Sequence, residues 1–244
     1  SALYCQLYID PKRCRDVQLT PWDYARRYEA PLRSARLPHE RPQVPDRRLR
    51  VGYLSPDFRQ HSVAYFIEPI LARHDRQALD VYCYYNYRAR DAVTERLIRT
   101  ADHWRDCAGL ADAELAARIR ADGIDILVDL AGHTGGNRLL VFARKPAPVQ
   151  ASYLGYPATT GLEAMDWRLV TADTDPPGAE ALHSERLYRL PRSLWCYRPD
   201  AEMPEVRPEA AVQRNGFITV AALNNVGKVS DAALAAWAHV LQAL

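Results

Sequence analysis

Between residues 48 and 190 short apolar runs alternate with segments of helical period, and no other feature restricts the fold so tightly. Leu49, Val51 and Tyr53 alternate with polar or small residues, as in a strand that begins at Arg48. Val63, Phe66, Ile67, Ile70 and Leu71 then recur at helical spacing. A strand is expected at Asp80–Asn86, a helix at Val93–Ala101 and another at Ala111–Ala121, stopped by Gly123. Ile124–Leu130 is the kind of apolar run that a parallel sheet buries on both faces. A short helix at Asn137–Ala143 and strands at Val149–Leu154, Arg168–Ala172 and Arg186–Leu190 continue the series. Such alternation implies an α/β fold with a doubly wound, Rossmann-like sheet.

The chain falls into three divisions. Residues 1–47 read as a helical and linker segment, with a helix around Trp22 to Leu32 that Pro38, Pro42 and Pro45 bring to an end. Residues 48–205 hold the sheet, and the Pro-, Glu- and Arg-rich stretch 192–215 connects it to a second lobe. Residues 206–244 open that lobe, with a strand at Phe217–Leu223 and a helix from about Ser230. Leu234, Trp237, Leu241 and Leu244 mark the buried face of that helix. One strand and one helix cannot cover themselves, so the rest of a second α/β lobe is expected beyond Leu244.

A formal charge of +2 and arginines interleaved with acidic residues argue against nucleic acid or an anionic membrane as partner. No apolar run approaches the roughly 20 residues of a membrane span, and no signal-peptide pattern appears. Cys5, Cys14, Cys83, Cys107 and Cys196 are widely spaced, which suits a reducing cytoplasm.

Four loops come after the carboxyl ends of expected strands: 55–62, 132–138, 155–161 and 224–228. Ligands of open parallel sheets bind at that edge. His61 sits just ahead of a helix, where the positive dipole end disfavours imidazolium and favours a bound phosphate. Asp57 in the same loop can orient the ring or relay a proton. The same placement also suits a histidine that only caps its helix, with Asp57 bonding its own turn. His133-Thr134-Gly135-Gly136 makes a turn where a sugar or phosphate can approach the backbone, or a turn and nothing more. Asp129 and His133 lack a third metal ligand. Lys228, ahead of a helix that Ser230 can cap, reaches a phosphate or is solvated like most loop lysines. The Tyr82–Tyr87 cluster reads as strand packing.

Longer motifs join these loops. Arg48-Leu49-Arg50-Val51-Gly52-Tyr53-Leu54-Ser55-Pro56-Asp57-Phe58 with His61, then Gly123 through Thr134, resemble the catalytic region of the O-linked N-acetylglucosamine (O-GlcNAc) transferases. Arg144 through Gln150, Tyr153 through Gly161, Asp173 through Pro177 and Leu190 through Tyr197 extend the likeness over about residues 48–244, closest to bacterial and SPINDLY-like branches. The resemblance implies a two-lobed GT-B fold, with the acceptor-side lobe here and most of the nucleotide-side lobe beyond Leu244. It implies transfer of N-acetylglucosamine from UDP-GlcNAc to Ser or Thr hydroxyls of proteins, with inversion and without a metal. It assigns catalytic roles to His61, Asp57 and the diphosphate-contacting Lys228. Donor contact falls to Asn225, the sugar pocket to Leu154 and Gly155, and its neighbouring loop to His133 and Thr134; Ser62 and Tyr156 join them as substrate-binding. The implied partners are a UDP-sugar, a protein or peptide acceptor, the remaining catalytic lobe and an N-terminal tetratricopeptide-repeat region. Residues 1–47 show no repeat, and Phe58-Arg59-Gln60-His61-Ser62 departs from the animal pattern around the histidine. That departure leaves the sugar preference open, and three alternatives stand beside the main reading: a protein O-fucosyltransferase using GDP-fucose, a GT-B sugar-nucleotide epimerase, and a non-catalytic sugar-nucleotide scaffold.

Overall fold

The computed structural model describes residues 2–7, 20–39, 47–199, 203–223 and 225–244, apart from the side chain of Lys228. Pro42 and Pro45 of the expected linker, Cys14, and Asn224 of the fourth loop lie outside the described residues. The chain divides into two compact units, Ser1–Arg198 and Pro199–Leu244.

In the first unit seven strands form one sheet: β1 (Leu49–Ser55), β2 (Leu79–Tyr85), β3 (His103–Asp106), β4 (Ile126–Asp129), β5 (Val149–Ser152), β6 (Trp167–Val170) and β7 (Arg186–Arg189). Their order is β3-β2-β1-β4-β5-β6-β7, and every pairing is parallel. Side-chain alternation divides the strands between two cores. Val51 and Tyr53 of β1, with Val81, Cys83 and Tyr85 of β2, meet helices α1 (Ser62–Leu71) and α2 (Ala92–Ile98) on one face. Leu54, Tyr82 and Tyr84 point the other way, towards α3 (Asp112–Ala121) and α4 (Leu139–Ala143). Ile67, Leu71, Leu97, Leu115 and Ile119 are fully buried, each contributing about 1.5–3 kcal/mol. Gly52 has no side chain because a Cβ there would lie 3.0 Å from Leu127 Cδ1. Asp91 caps α2 in a reciprocal box with Thr94, and Gly123, at φ +66, turns the chain out of α3.

Several elements differ from the sequence-based expectation. The helix expected to reach Ala101 ends at Ile98, and His103–Asp106 forms the edge strand β3. This strand was hidden because His-Trp-Arg-Asp carries no apolar alternation. β5 stops at Ser152 because Leu154, at φ 59, turns the backbone into the left-handed region. Residues 20–39 pack on the lobe. Thr20 caps a helical run that begins at Pro21, loosens to a π-turn over Ala25–Glu29 and tightens to 3-10 geometry over Ala30–Ala35, where Pro31 supplies no N–H.

The second unit contains a helical turn at Ala211–Asn215 and a helix, α5 (Asp231–Ala243), capped by Ser230. The strand expected at Phe217–Leu223 is absent among the described residues. A strand is stable only when its N–H and C=O groups pair with a neighbour, and the described residues of this unit present none. The face of α5 expected to be buried, with Leu234, Trp237, Leu241 and Leu244, is exposed, because no apolar surface packs on it among the described residues. No helix of the described residues is long and apolar enough to cross a membrane.

Candidate active site

β1 and β4 are neighbours, yet the chain leaves β1 towards β2 and returns from β3 to reach β4. At such a reversal of strand order parallel sheets bind ligands, beyond the carboxyl ends of the strands. The loops after β1, β4 and β5 lie at that edge.

In the first loop, Phe58 is fully buried and Asp57 N–H donates to Ser55 Oγ at 2.9 Å, closing a tight turn. His61 is the N-cap of α1, and its Nδ1 accepts from Val63 N–H at 3.2 Å. Ser62 is the first residue of that helix. The capping and functional readings of His61 are therefore compatible: the cap fixes the ring at the helix end, while the side chain keeps 36% of its surface exposed. Asp57 Oδ2 lies 3.7 Å from His61 Nδ1 and Asp57 Oδ1 lies 3.6 Å from Arg59 Nη2, both beyond hydrogen-bond reach. Burial raises the Asp57 pKa, opposed by the His61 and Arg59 charges. Because Nδ1 accepts from an N–H, the neutral ring carries its proton on Nε2. The opposite tautomer breaks the cap and turns Nδ1–H towards Asp57.

In the second loop, Asp129 ends β4 almost fully buried and accepts from Ala131 N–H (3.2 Å) and Gly132 N–H (2.7 Å). Burial outweighs these bonds and raises its pKa to about 6. His133 is buried as well. Its Nε2 donates to Thr160 O at 2.8 Å, and burial lowers its pKa, so it is a neutral ring. Thr134 Oγ1 donates to Ala131 O at 2.7 Å, closing the turn on itself. Gly136 (φ +71) abuts Pro56, where a Cβ would lie 3.1 Å from the proline Cβ. The β1 and β4 loops are thereby in contact.

The third loop is pressed against the second. A Cβ on Gly155 would fall 2.1 Å from Leu130 O, and one on Gly132 would fall 2.3 Å from Tyr156 Cβ. Arg168 of β6, 5% exposed, anchors the turn by donating to Ser152 Oγ (2.9 Å) and Tyr156 O (2.8 Å). Glu185, also buried, accepts from Thr159 Oγ1 and from Thr160 N–H and Oγ1. Neither residue is visible as a site element in the sequence, since a buried arginine or glutamate reads there as surface charge. Among the described residues no group of three His, Cys, Asp or Glu side chains has the arrangement to hold a metal ion.

Of the residues that the sequence singles out, His61, Asp57, Ser62, His133, Thr134, Leu154, Gly155 and Tyr156 fall on these three adjoining loops. Asn225 and Lys228 belong to the second unit. There Asn225 Oδ1 accepts from Gly227 N–H at 2.9 Å, shaping the turn Val226–Lys228 ahead of α5.

A Rossmann-like lobe with three apposed loops at its switch point defines a class of α/β ligand-binding lobe, and comparison with known proteins specifies it. The model of glycosyl transferase family 41 matches residues 32–213. A tomato protein described as a probable UDP-N-acetylglucosamine–peptide N-acetylglucosaminyltransferase SPINDLY is 43% identical over 206 residues, 83% of this chain and 22% of its own length. An Arabidopsis thaliana relative of the same description, SEC, is 30% identical over 80% of this chain and 21% of its own length. A solved O-GlcNAc transferase mutant from Thermobaculum terrenum superposes with a TM-score of 0.87 at 40% identity, covering 99% of this chain and 46% of that one. The chain belongs to glycosyl transferase family 41, and its fold is α/β of the GT-B type. It spans about a fifth of the length of the curated relatives it matches.

Proposed function

We propose that this chain supplies the first lobe of an inverting glycosyltransferase that moves N-acetylglucosamine from UDP-GlcNAc to Ser or Thr hydroxyls of proteins, without a metal. The observation that carries the reading is the apposition of three loops at the switch point, with His61 at a helix N-terminus beside the buried Asp57. The names of the tomato and Arabidopsis relatives, which specify UDP-N-acetylglucosamine and a peptide, support the donor and acceptor.

In this reading the acceptor oxygen attacks the anomeric carbon as the bond to UDP breaks. Negative charge grows on the departing diphosphate, where Lys228 and helix N–H groups stabilise it. The hydroxyl proton goes to His61 Nε2 once Nδ1 holds a proton facing Asp57, or to a water path ending at Asp57. Leu154, Gly155 and Tyr156 line the sugar, with His133 and Thr134 in the adjoining loop and Asn225 at the donor. A second lobe and an N-terminal repeat region complete the enzyme, and neither nucleic acid nor a membrane span enters the reading.

The test is transfer to peptide acceptors by the full-length protein, offered UDP-GlcNAc and GDP-fucose in parallel. His61→Ala and Lys228→Ala are each expected to lower transfer about 10²–10⁴-fold with the fold intact, His61→Ala at the further cost of the α1 cap, about 0.5–2 kcal/mol. Near-normal turnover in both variants rejects the assigned roles. Preference for GDP-fucose transfers the reading to the fucosyltransferase alternative, epimerised sugar formed without acceptor to the epimerase, and donor binding without transfer to a scaffold.

A further inference from the structure

The helical segment ahead of the sheet reaches the candidate site. The Tyr24 ring stands edge-on to His133, with centroids 4.9 Å apart and planes at 84°. Tyr156 meets the same imidazole at 5.1 Å and 79°. His133 is thus held between a residue of the N-terminal segment and a residue of the loop after β5, in the perpendicular arrangement that aromatic quadrupoles favour. The imidazole then passes the contact on, since its Nε2–H is bonded to Thr160 O.

Two further contacts tie the segment to the same stretch of chain. Gly161, at φ +75, lies so close to Pro21 that a Cβ would sit 2.3 Å from the proline carbonyl oxygen. Glu29, 1% exposed, accepts from Glu163 N–H (2.9 Å) and Ala164 N–H (2.8 Å). Arg36 pairs with Glu29 at 2.7 Å and donates through Nε to Ala143 O at 3.0 Å, closing the clamp. The loop after β5 therefore has two supports. Arg168 and Glu185 hold it from the sheet, and residues 20–36 hold it from outside.

We propose that the N-terminal helical segment is a positioning element of the sugar site: Tyr24 fixes His133, which fixes Thr160 and the turn Leu154–Tyr156 against the N-acetylhexosamine of a nucleotide-sugar donor. This rests on the reading above that the turn lines the donor sugar. Tyr24 itself touches no substrate in this scheme. Its hydroxyl makes no hydrogen bond among those described, so the ring face and edge carry the effect and phenylalanine should replace it. Removing the ring leaves the imidazole one neighbour short and frees the turn to sample other arrangements. The cost then falls on donor affinity and leaves acceptor affinity unchanged.

The test uses the full-length protein as wild type, Tyr24→Ala, Tyr24→Phe and Trp22→Ala; Trp22 is exposed on the same helical turn. Hydrogen exchange read by mass spectrometry should rise several-fold over residues 153–164 in Tyr24→Ala alone. Steady-state kinetics should show kcat/KM for UDP-GlcNAc about tenfold lower in Tyr24→Ala, mostly in KM, with acceptor KM unchanged and Tyr24→Phe within twofold of wild type. Unchanged exchange over 153–164 in Tyr24→Ala overturns the proposal, as does an equal loss in Trp22→Ala, which would mark a general weakening of the segment. Should the wild type transfer no sugar, the functional reading falls by itself, and the exchange measurement still decides whether Tyr24 holds the turn.

Discussion

Gly155→Ala isolates the contact on which the shape of the site depends. The added methyl would lie 2.1 Å from Leu130 O, 2.8 Å from Leu130 C and 2.9 Å from Ala131 Cα. All three are backbone atoms, so no rotamer change relieves the overlap. Leu130 is itself fully buried beyond the end of β4, which leaves little room for it to retreat. Restoring an ordinary contact requires the β4 and β5 loops to separate by about 1 Å, and overpacking of this kind costs about 1–3 kcal/mol, more where the neighbour is rigid. At roughly 2–4 °C per kcal/mol for a unit of this size, the melting temperature should fall by about 2–12 °C. A displacement of about 1 Å in the turn that lines the sugar should lower turnover about 10²-fold. Thermal unfolding and peptide transfer measure the two effects. Gly135→Ala is the control for stability, because nothing lies within 4 Å of the Cβ it would add. If Gly155→Ala melts within 2 °C of wild type and keeps its turnover, the proposed apposition of the loops is refuted.

Two further outcomes concern buried carboxylates. The Asp129 pKa is raised from 3.8 to about 6 by burial, so its contribution to stability is fully present below pH 3.8 and is lost as pH rises through about 6. At 1.36 kcal/mol per pH unit this amounts to about 3 kcal/mol, and Asp129→Asn should flatten the pH dependence of urea unfolding between pH 4 and 6; an unchanged slope would exclude Asp129 as its source. Glu29→Ala leaves two backbone N–H groups and Arg36 without their acceptor, and should cost about 3–5 kcal/mol in urea unfolding. A loss below 1 kcal/mol would mean that the clamp on residues 163–164 bears little of the fold.

Much of this protein is written in local pattern. Period-2 and period-3.6 apolar spacing identifies most of the parallel strands and all the helices that cover them, because each side chain's direction follows from its position along a regular backbone. The loop carrying His61 was legible for the same reason: a strand, a short turn and a helix start impose a polar residue at the N-cap. Where pattern fails, position in three dimensions decides. Neither the edge strand His103–Asp106 nor the isolated run Phe217–Leu223 reveals its state alone, since a strand exists only through the neighbour that accepts its hydrogen bonds. Arg168, Glu185 and Glu29 look like ordinary surface charges in the sequence. Each becomes a support of the candidate site only because folding buries it beside loop carbonyls, hydroxyls or N–H groups between 12 and 135 residues away. Apolar spacing thus determined most of the sheet and with it the edge at which parallel sheets bind ligands. Which groups hold that edge in shape was decided by tertiary contact, because desolvation lets a buried charge persist only where the fold supplies partners for it.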